Sequence, residues 1–343
     1  MVKVVFLMGW DSRLGPRILG QYPPDFPLDR EKLVDLFGLA LRHGESAHFS
    51  EVELRGEKTV IYFTGMQTRM SLGAIVDEDD NIGAVRGALT RIVLDIIVRG
   101  ELPQLMESWK DVYDKVVLYE TMSLEEKVGE LFSDAFFRRI FNTLLEWGLI
   151  RYDMLLSSLN ILSGTREEDL VRAYLEIMNS LQLIQLYYDE EAVREYIFLL
   201  RDVVILRKKP DLFDHIKKLV PDYKGSWEEY REAYLLDRRW MDEQGMLAQI
   251  FANPALYSLL KEFREKGILT AEELGERVAY ADYLENLGVC RKNVDKYYLF
   301  TDVVIALLFP KYSVHKALEK YSEGVFSQDE ILRYLDALKK SYL

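Results

Sequence analysis

EYIFLLRDVVILRKKP (Glu195–Pro210) and DKYYLFTDVVIALLFP (Asp295–Pro310) align without a gap at an offset of 100 residues, sharing a leucine, the run Asp-Val-Val-Ile and the closing proline. Such self-similarity marks a duplicated structural unit. A second echo lies upstream, where EWGLIRYDMLL (Glu146–Leu156) parallels EKGILTAEELG (Glu265–Gly275) at a different offset. The two units therefore share a plan but not a length. Four Ser/Thr-x-x-Glu stretches signpost helix starts by capping-box spacing: Ser123 with Glu126, Thr165 with Glu168, Thr270 with Glu273, and Ser327 with Glu330.

The plan is a first helix ending in Gly-Leu-Ile or Gly-Ile-Leu, then two helices, a strand, a turn, and a returning strand that leads into a final helix. This order resembles a winged helix. TREE opens the third helix of the first copy, and TAEE repeats the device in the second. LGERVAYADYLENLGV leaves little room for two separate helices, so the second copy reads as a degenerate winged helix. Asp202 and Asp302 follow the returning strands and are expected to start helices. Between the copies, residues 211–250 form a helical connector whose Trp227, Tyr230, Tyr234 and Trp240 require burial.

Outward to the N-terminus the pattern changes. VKVVFLMGW (Val2–Trp10), the turn DSRLGP and PRILGQYP (Pro16–Pro23) read as a β-hairpin. Leu33, Leu36, Phe37, Ala40 and Leu41 share one face of a following helix. AHFSEVEL, KTVIYFT and RMSLGAIV are strands separated by glycine turns, and DEDDN introduces a long helix with a small-residue stripe of Gly83, Ala84, Gly87 and Ala88. The helix LPQLMESWKDVYDKVV closes the unit. This element order, with GPRILGQYP as the second strand, resembles the longin and roadblock family of SNARE-like or profilin-like folds. The resemblance covers the first third of the chain. It implies a docking platform for a small GTPase, a tether subunit or a second copy, with Ile18 and Tyr22 on the hairpin and Leu33 and Phe37 on the helix as candidate partner contacts.

The expected fold class is multidomain α+β: a longin- or roadblock-like domain (1–120), a winged-helix-like domain (121–210), the connector, and a second, degenerate winged-helix-like domain with a C-terminal helix (251–343).

The 343 residues are 49% hydrophobic and carry a formal net charge of -13, with no basic region overall. Nucleic acid is disfavoured, because phosphate binding would have to work against the protein's own field. The acids at the start of both candidate recognition helices, Glu167, Glu168 and Asp169 in the first, argue the same way. The opposing signal is Arg207, Lys208 and Lys209 after the first returning strand with Arg291, Lys292 and Lys296 in the second wing. In the alternative reading, a DNA-binding regulator that dimerises through its N-terminal domain, these six contact phosphates.

Catalysis finds no motif. There is no phosphate-binding glycine loop and no Gly-x-Ser-x-Gly elbow, and His43, His48, His215 and His315 are isolated. Asp77, Asp79 and Asn81 are spaced like a calcium loop, but Ile82 stands where glycine is required, so these acids are read as a helix cap. No cofactor is expected and the chain is not read as an enzyme. The single cysteine, Cys290, reads as a small buried side chain and fits a reducing compartment, the cytoplasm. The opening strand is unlike a signal peptide, and the apolar runs Ile92–Val98 and Val303–Phe309 are shorter than the roughly 18 to 20 residues of a membrane span. Scarce Asn, Gln and Cys beside plentiful Glu, Lys, Arg and Tyr is a composition associated with hyperthermophiles. The expected function is a non-catalytic adaptor or regulatory scaffold that binds protein through the longin-like domain and acidic winged-helix faces.

Overall fold

In a computed structural model, the structure describes residues 2–11, 13–28, 30–42, 48–54, 56–64, 70–99, 108–190, 193–220, 223–237 and 243–342. The fold is mixed α+β, and it divides into two compact units between which the chain passes repeatedly. One unit comprises Met1–Met122, Thr143–Arg201 and Pro310–Leu343, the other Ser123–Asn142 and Asp202–Phe309. The first segment of the first unit ends close to the sequence boundary at 120, and positions 210 and 250 both fall within the Asp202–Phe309 segment of the second.

The N-terminal part is built on β1 (Val4–Asp11), β2 (Gly15–Tyr22), α1 (Arg30–Arg42), β3 (His48–Leu54), β4 (Glu57–Phe63), β5 (Met70–Val76), α2 (Ile82–Arg99) and α3 (Trp109–Thr121). The strands form one antiparallel sheet in the order β2-β1-β5-β4-β3. Val5, Leu7, Tyr62 and Leu72 face α2 and α3, while Val4, Phe6, Ile61 and Phe63 face α1. Both faces of β1 are thus covered, and its apolar residues run continuously instead of alternating. Gly20 on β2 is required by close packing, since a Cβ there would lie 1.7 Å from Nε1 of Trp109. The Asp77–Asn81 stretch acts as a cap: Asn81 Oδ1 accepts from Ala84 N at 3.2 Å, and Asp80 Oδ2 from Asp77 N at 2.8 Å.

The duplicated part follows. The first copy is α4 (Leu124–Ser133), α5 (Ala135–Trp147), β6 (Leu149–Arg151), α6 (Tyr152–Ser158), α7 (Arg166–Ser180), β7 (Ile184–Asp189), β8 (Arg194–Leu199), β9 (Asp202–Lys208) and α8 (Phe213–Leu219), with α9 (Tyr223–Asp237) in the connector. The second is α10 (Gln244–Ala252), α11 (Pro254–Lys266), β10 (Ile268–Thr270), α12 (Ala271–Leu274), a 3-10 turn (Gly275–Arg277), α13 (Val278–Asn286), β11 (Cys290–Asn293), β12 (Lys296–Leu299), β13 (Asp302–Leu308) and α14 (Lys311–Ser322), followed by α15 (Gln328–Tyr342). The small sheets have matching orders, β6-β8-β7 and β10-β12-β11.

Details recur at matching positions. Asp134 and Asn253 cap α5 and α11 by accepting from the amides two and three residues on. Both helices stop at a glycine of positive φ, Gly148 and Gly267, whose carbonyl accepts from Leu199 N or Leu299 N at 2.8 Å. Leu183 O and Val289 O each accept two successive amides after the returning strand.

Two sequence expectations change here. Asp202 and Asp302 begin strands, not helices: β9 and β13 pair antiparallel with Ile205 opposite Ile305, so the strand pair is two-fold symmetric about the residues that the 100-residue offset equates. β-branched Val-Val-Ile favours extended backbone, and pairing with its own duplicate satisfies the ladder. TREE and TAEE are also not equivalent. Thr165 starts the third helix of its copy, whereas Thr270 starts the second, α12. Gly275, at φ +52°, and the 3-10 turn fit two short helices into the span that looked too small.

The helices after each copy are exchanged. Ile216 of α8, beside Gly267, and Tyr223 of α9, against Phe300, pack on the second copy, with Tyr223 Oη donating to Leu299 O at 3.0 Å. Ser313 of α14 lies against Gly148, and Tyr334 Oη of α15 donates to Leu199 O at 3.0 Å, covering the first copy. Leu199 and Leu299 are again equivalent residues. In the connector Trp227 and Tyr230 are held by ring contacts with Phe213 and Phe300. Trp240 lies outside the described residues. Among the described residues no helix is long and apolar enough to cross a membrane.

Candidate functional site

The helix that would read a ligand in the first copy, α7, is already occupied. Its Thr165 hydroxyl accepts from Glu168 N at 3.4 Å, and the Glu168 carboxylate turns back to Gly164 N at 2.6 Å. From Val171 onward Ala173, Tyr174, Leu175, Ile177 and Met178 are buried. α2 lies along this helix. Arg86 on α2 donates to Glu176 at 2.9 Å and to Glu51 of β3 at 3.1 Å. Gly87 permits the approach, since a Cβ there would fall 2.8 Å from the Tyr119 ring and 3.1 Å from Ser180 Oγ. Of the acids of α7, Glu168, Asp169 and Glu176 are therefore partly interior, while Glu167 is exposed. Burial pushes the Glu176 carboxyl above its ordinary value, outweighing Arg86, and burial followed by the Glu168 charge pushes Asp169 up to about 6. Arg172 pairs with Glu195 and lies 3.4 Å over the Tyr152 ring.

The six candidate phosphate contacts divide. Arg207 is an interior residue, 5% exposed, with its guanidinium on Glu243 at 3.0 Å and on Leu287 O at 2.6 Å. It is not available to a phosphate. Lys208 pairs with Asp211 at 2.9 Å and Asp302 at 3.5 Å, and Lys209 lies 4.9 Å over Phe213. Arg291 stacks 3.6 Å over Phe300 and Lys292 5.0 Å over Tyr297. Lys292 and Lys296 are exposed on the β11–β12 hairpin.

The candidate partner contacts also move. Leu33 and Phe37 are in the core, 5% and 3% exposed, because the apolar face of α1 is the face that covers the sheet. Ile18 and Tyr22 are half-buried, Ile18 against the same core and Tyr22 against Tyr113. The apolar side chains that do reach solvent there are Trp10, Leu14 and Val34. Trp10 is 43% exposed although its ring stacks on Phe37 at 4.9 Å, and the sequence signal for this edge is a tryptophan and a leucine flanking a hairpin turn.

In the second unit a groove of about 580 Å³ runs between α13 and the α10–α11 junction, lined by Ala279, Tyr280 and Tyr283 opposite Gln249, Ala252 and Leu256. Tyr283 Oη donates to Gln249 Oε1 at 3.1 Å across it. Acidic residues surround α13: Glu272 and Glu276 are exposed, Glu285 Oε1 takes Lys292 N at 3.0 Å, and Asp282 Oδ1 takes the Tyr297 hydroxyl at 2.5 Å.

Cys290 is buried, its thiol donates to Ala281 O at 3.3 Å, and burial raises its pKa, which keeps it protonated and unreactive. His215 is exposed and His315 pairs with Glu319 at 3.1 Å. The His48 side chain and all of His43 lie outside what is described. Among the described residues no group of three or more His, Cys, Asp and Glu is placed to hold a metal. No protein-family model, curated protein or solved structure matches this chain.

Proposed function

We propose that this chain is a non-catalytic adaptor or regulatory scaffold, in which a longin-like domain is followed by two winged helices that serve protein contact, working in the cytoplasm. The longin reading rests on the sheet order β2-β1-β5-β4-β3 with α1 on one face and α2 and α3 on the other. The winged-helix reading rests on the helix–strand–helix–helix–hairpin order found twice, with each first strand pairing with the returning one.

One observation carries the functional reading. The recognition helix of the first winged helix, α7, is packed against α2 through Arg86 and Glu176 and cannot enter a major groove. A scaffold that spends its first recognition helix on a protein contact is using the fold for protein contact. The hairpin and α1, where Trp10, Leu14 and Val34 are exposed, provide the longin-side surface for a small GTPase or a second copy.

The DNA-binding alternative retains in its favour the exposed Lys292 and Lys296 on the β11–β12 hairpin and the exposed Lys209 after β9. Titration with mixed-sequence duplex DNA across roughly 50 to 200 mM salt separates the readings, because phosphate-driven binding weakens steeply over that range. The adaptor reading expects no binding at the upper end. Tight, salt-steep binding that Lys292→Ala with Lys296→Ala reduces would overturn it.

A further inference from the structure

The duplication supplies a comparison within one chain. Leu183 N bonds Met178 O at the end of α7, and Val289 N bonds Leu284 O at the end of α13, which equates the two helices residue by residue. Ala173 then corresponds to Ala279, Tyr174 to Tyr280, Glu176 to Asp282, Ile177 to Tyr283 and Ser180 to Asn286. An acid stands at the same helical position in both copies. The surroundings differ: Ala173, Tyr174 and Ile177 are at most 4% exposed, whereas Ala279 and Asn286 are exposed and Tyr280 is 40% exposed.

The first of these helices is covered by α2. α2 approaches α7 with Gly83 and Gly87 against Ser180 and places Arg86 on Glu176. Glycines four apart let the backbones come close, and the arginine between them meets the acid. The free helix has the complementary features. Its Asp282 uses Oδ1 for Tyr297, Glu272 and Glu276 are exposed before it while Arg277 pairs with Glu262, and the groove beside it offers Tyr280 and Tyr283 as apolar walls.

We propose that the exposed face of α13 is a docking surface for one helix of a partner protein, and that this helix has the chemistry of α2: small-x-x-Arg-small, with the basic residue directed at Asp282. The proposal rests on the protein-contact reading given above and deepens it. A second copy of the chain is disfavoured as occupant because its own α2 is engaged by α7, and an α13 face meeting its duplicate would bring acids together. The basic, small-residue helix satisfies both the charge and the groove.

The test uses the full chain and a defined probe, the fluorescent peptide NIGAVRGALTRI (Asn81–Ile92) stapled through the positions of Val85 and Leu89, which face the sheet core in the protein. Binding is read by fluorescence anisotropy. The expected result is saturable binding that Asp282→Arg weakens about tenfold or more, the size of a lost charge-assisted hydrogen bond, and that an Arg86→Glu peptide recovers on the Asp282→Arg protein. Ala279→Trp, at an exposed position, provides a second block that does not disturb Tyr297 and should abolish binding with the melting temperature unchanged.

No binding by the peptide overturns the proposal. Binding that survives both α13 variants but is lost in Glu176→Arg also overturns it, since the peptide has then displaced α2 from α7. Concentration-dependent dimers that Ala279→Trp removes would assign the face to a second copy, again against the proposal. The DNA titration reports on the underlying reading separately: peptide failure with no DNA binding removes only the α13 surface and leaves the adaptor standing.

Discussion

Arg207→Ala distinguishes the two roles that a basic residue in this position can have. A phosphate-contacting arginine stands in solvent, and its removal weakens DNA binding without changing the fold. Arg207 instead makes Nε and Nη2 bonds to Glu243 at 3.0 Å, with further bonds to Leu287 O at 2.6 Å and Thr301 at 3.2 Å. Glu243 is itself only 13% exposed. Truncating one member of a buried pair leaves an uncompensated charge and costs about 3–5 kcal/mol. Tyr234 Oη continues to donate to Glu243 at 2.5 Å, which places the expected loss at the lower end, about 3 kcal/mol. With a urea slope of about 1–3 kcal/mol/M, the midpoint for the unit containing Arg207 should fall by about 1–3 M. Urea titration followed by circular dichroism measures it. The double replacement Arg207→Met with Glu243→Leu should regain most of the loss, because an apolar pair carries no stranded charge. An Arg207→Ala protein within about 0.5 kcal/mol of the parent, the range of ordinary surface changes, would refute the structural assignment and return this residue to the candidate DNA surface.

Arg86→Glu places a negative charge against Glu51 and Glu176, and amide hydrogen exchange in α7 should accelerate by about a hundredfold or more as α2 lets go; unchanged protection would show that α2 does not hold α7. Gly20→Ala drives a methyl into the Trp109 indole, so a loss of about 1–3 kcal/mol with altered tryptophan fluorescence is expected, and an unchanged spectrum would contradict that packing. Asp169 holds its proton more tightly folded than unfolded, with a folded pKa of about 6 against an ordinary 3.8. Stability contributed through this group therefore falls as pH rises from about 4 to about 6. Asp169→Asn should stabilise the protein above that window by about 1 kcal/mol after allowance for its partial exposure, and not below it; equal effects at both ends would refute the shift.

How much of this could be read beforehand depended on whether a residue's partner was near in sequence. Caps were legible because they are local: Ser123 with Glu126 and Thr270 with Glu273 form complete boxes. The repeat was legible because Asp-Val-Val-Ile stands in both copies at a fixed offset of 100 residues. Its consequence was not, since nothing in either copy says that β9 will take β13 as its ladder partner. Arg207, Lys208 and Lys209 read as one basic patch, but successive strand residues point to opposite faces, so the run separates into a buried arginine and lysines with other partners. The acids of α7 read as an open acidic face because Arg86 lies far away in the chain. Leu33 and Phe37 were correctly seen as one face of α1, and only the sheet beneath decides that this face is interior.

The exchanged helices place a schedule on the birth of this protein. On a ribosome the first copy emerges early, yet Tyr334, which closes over Leu199, is made 135 residues after it. The second copy has its cover, with Tyr223, waiting before its own first helix appears. A chain synthesised from the N-terminus therefore completes the later copy from material already in hand, and leaves the earlier one open until α14 and α15 have followed. A stop codon after Phe309 should on this account damage the copy that lies farther from it, and spare the one beside it.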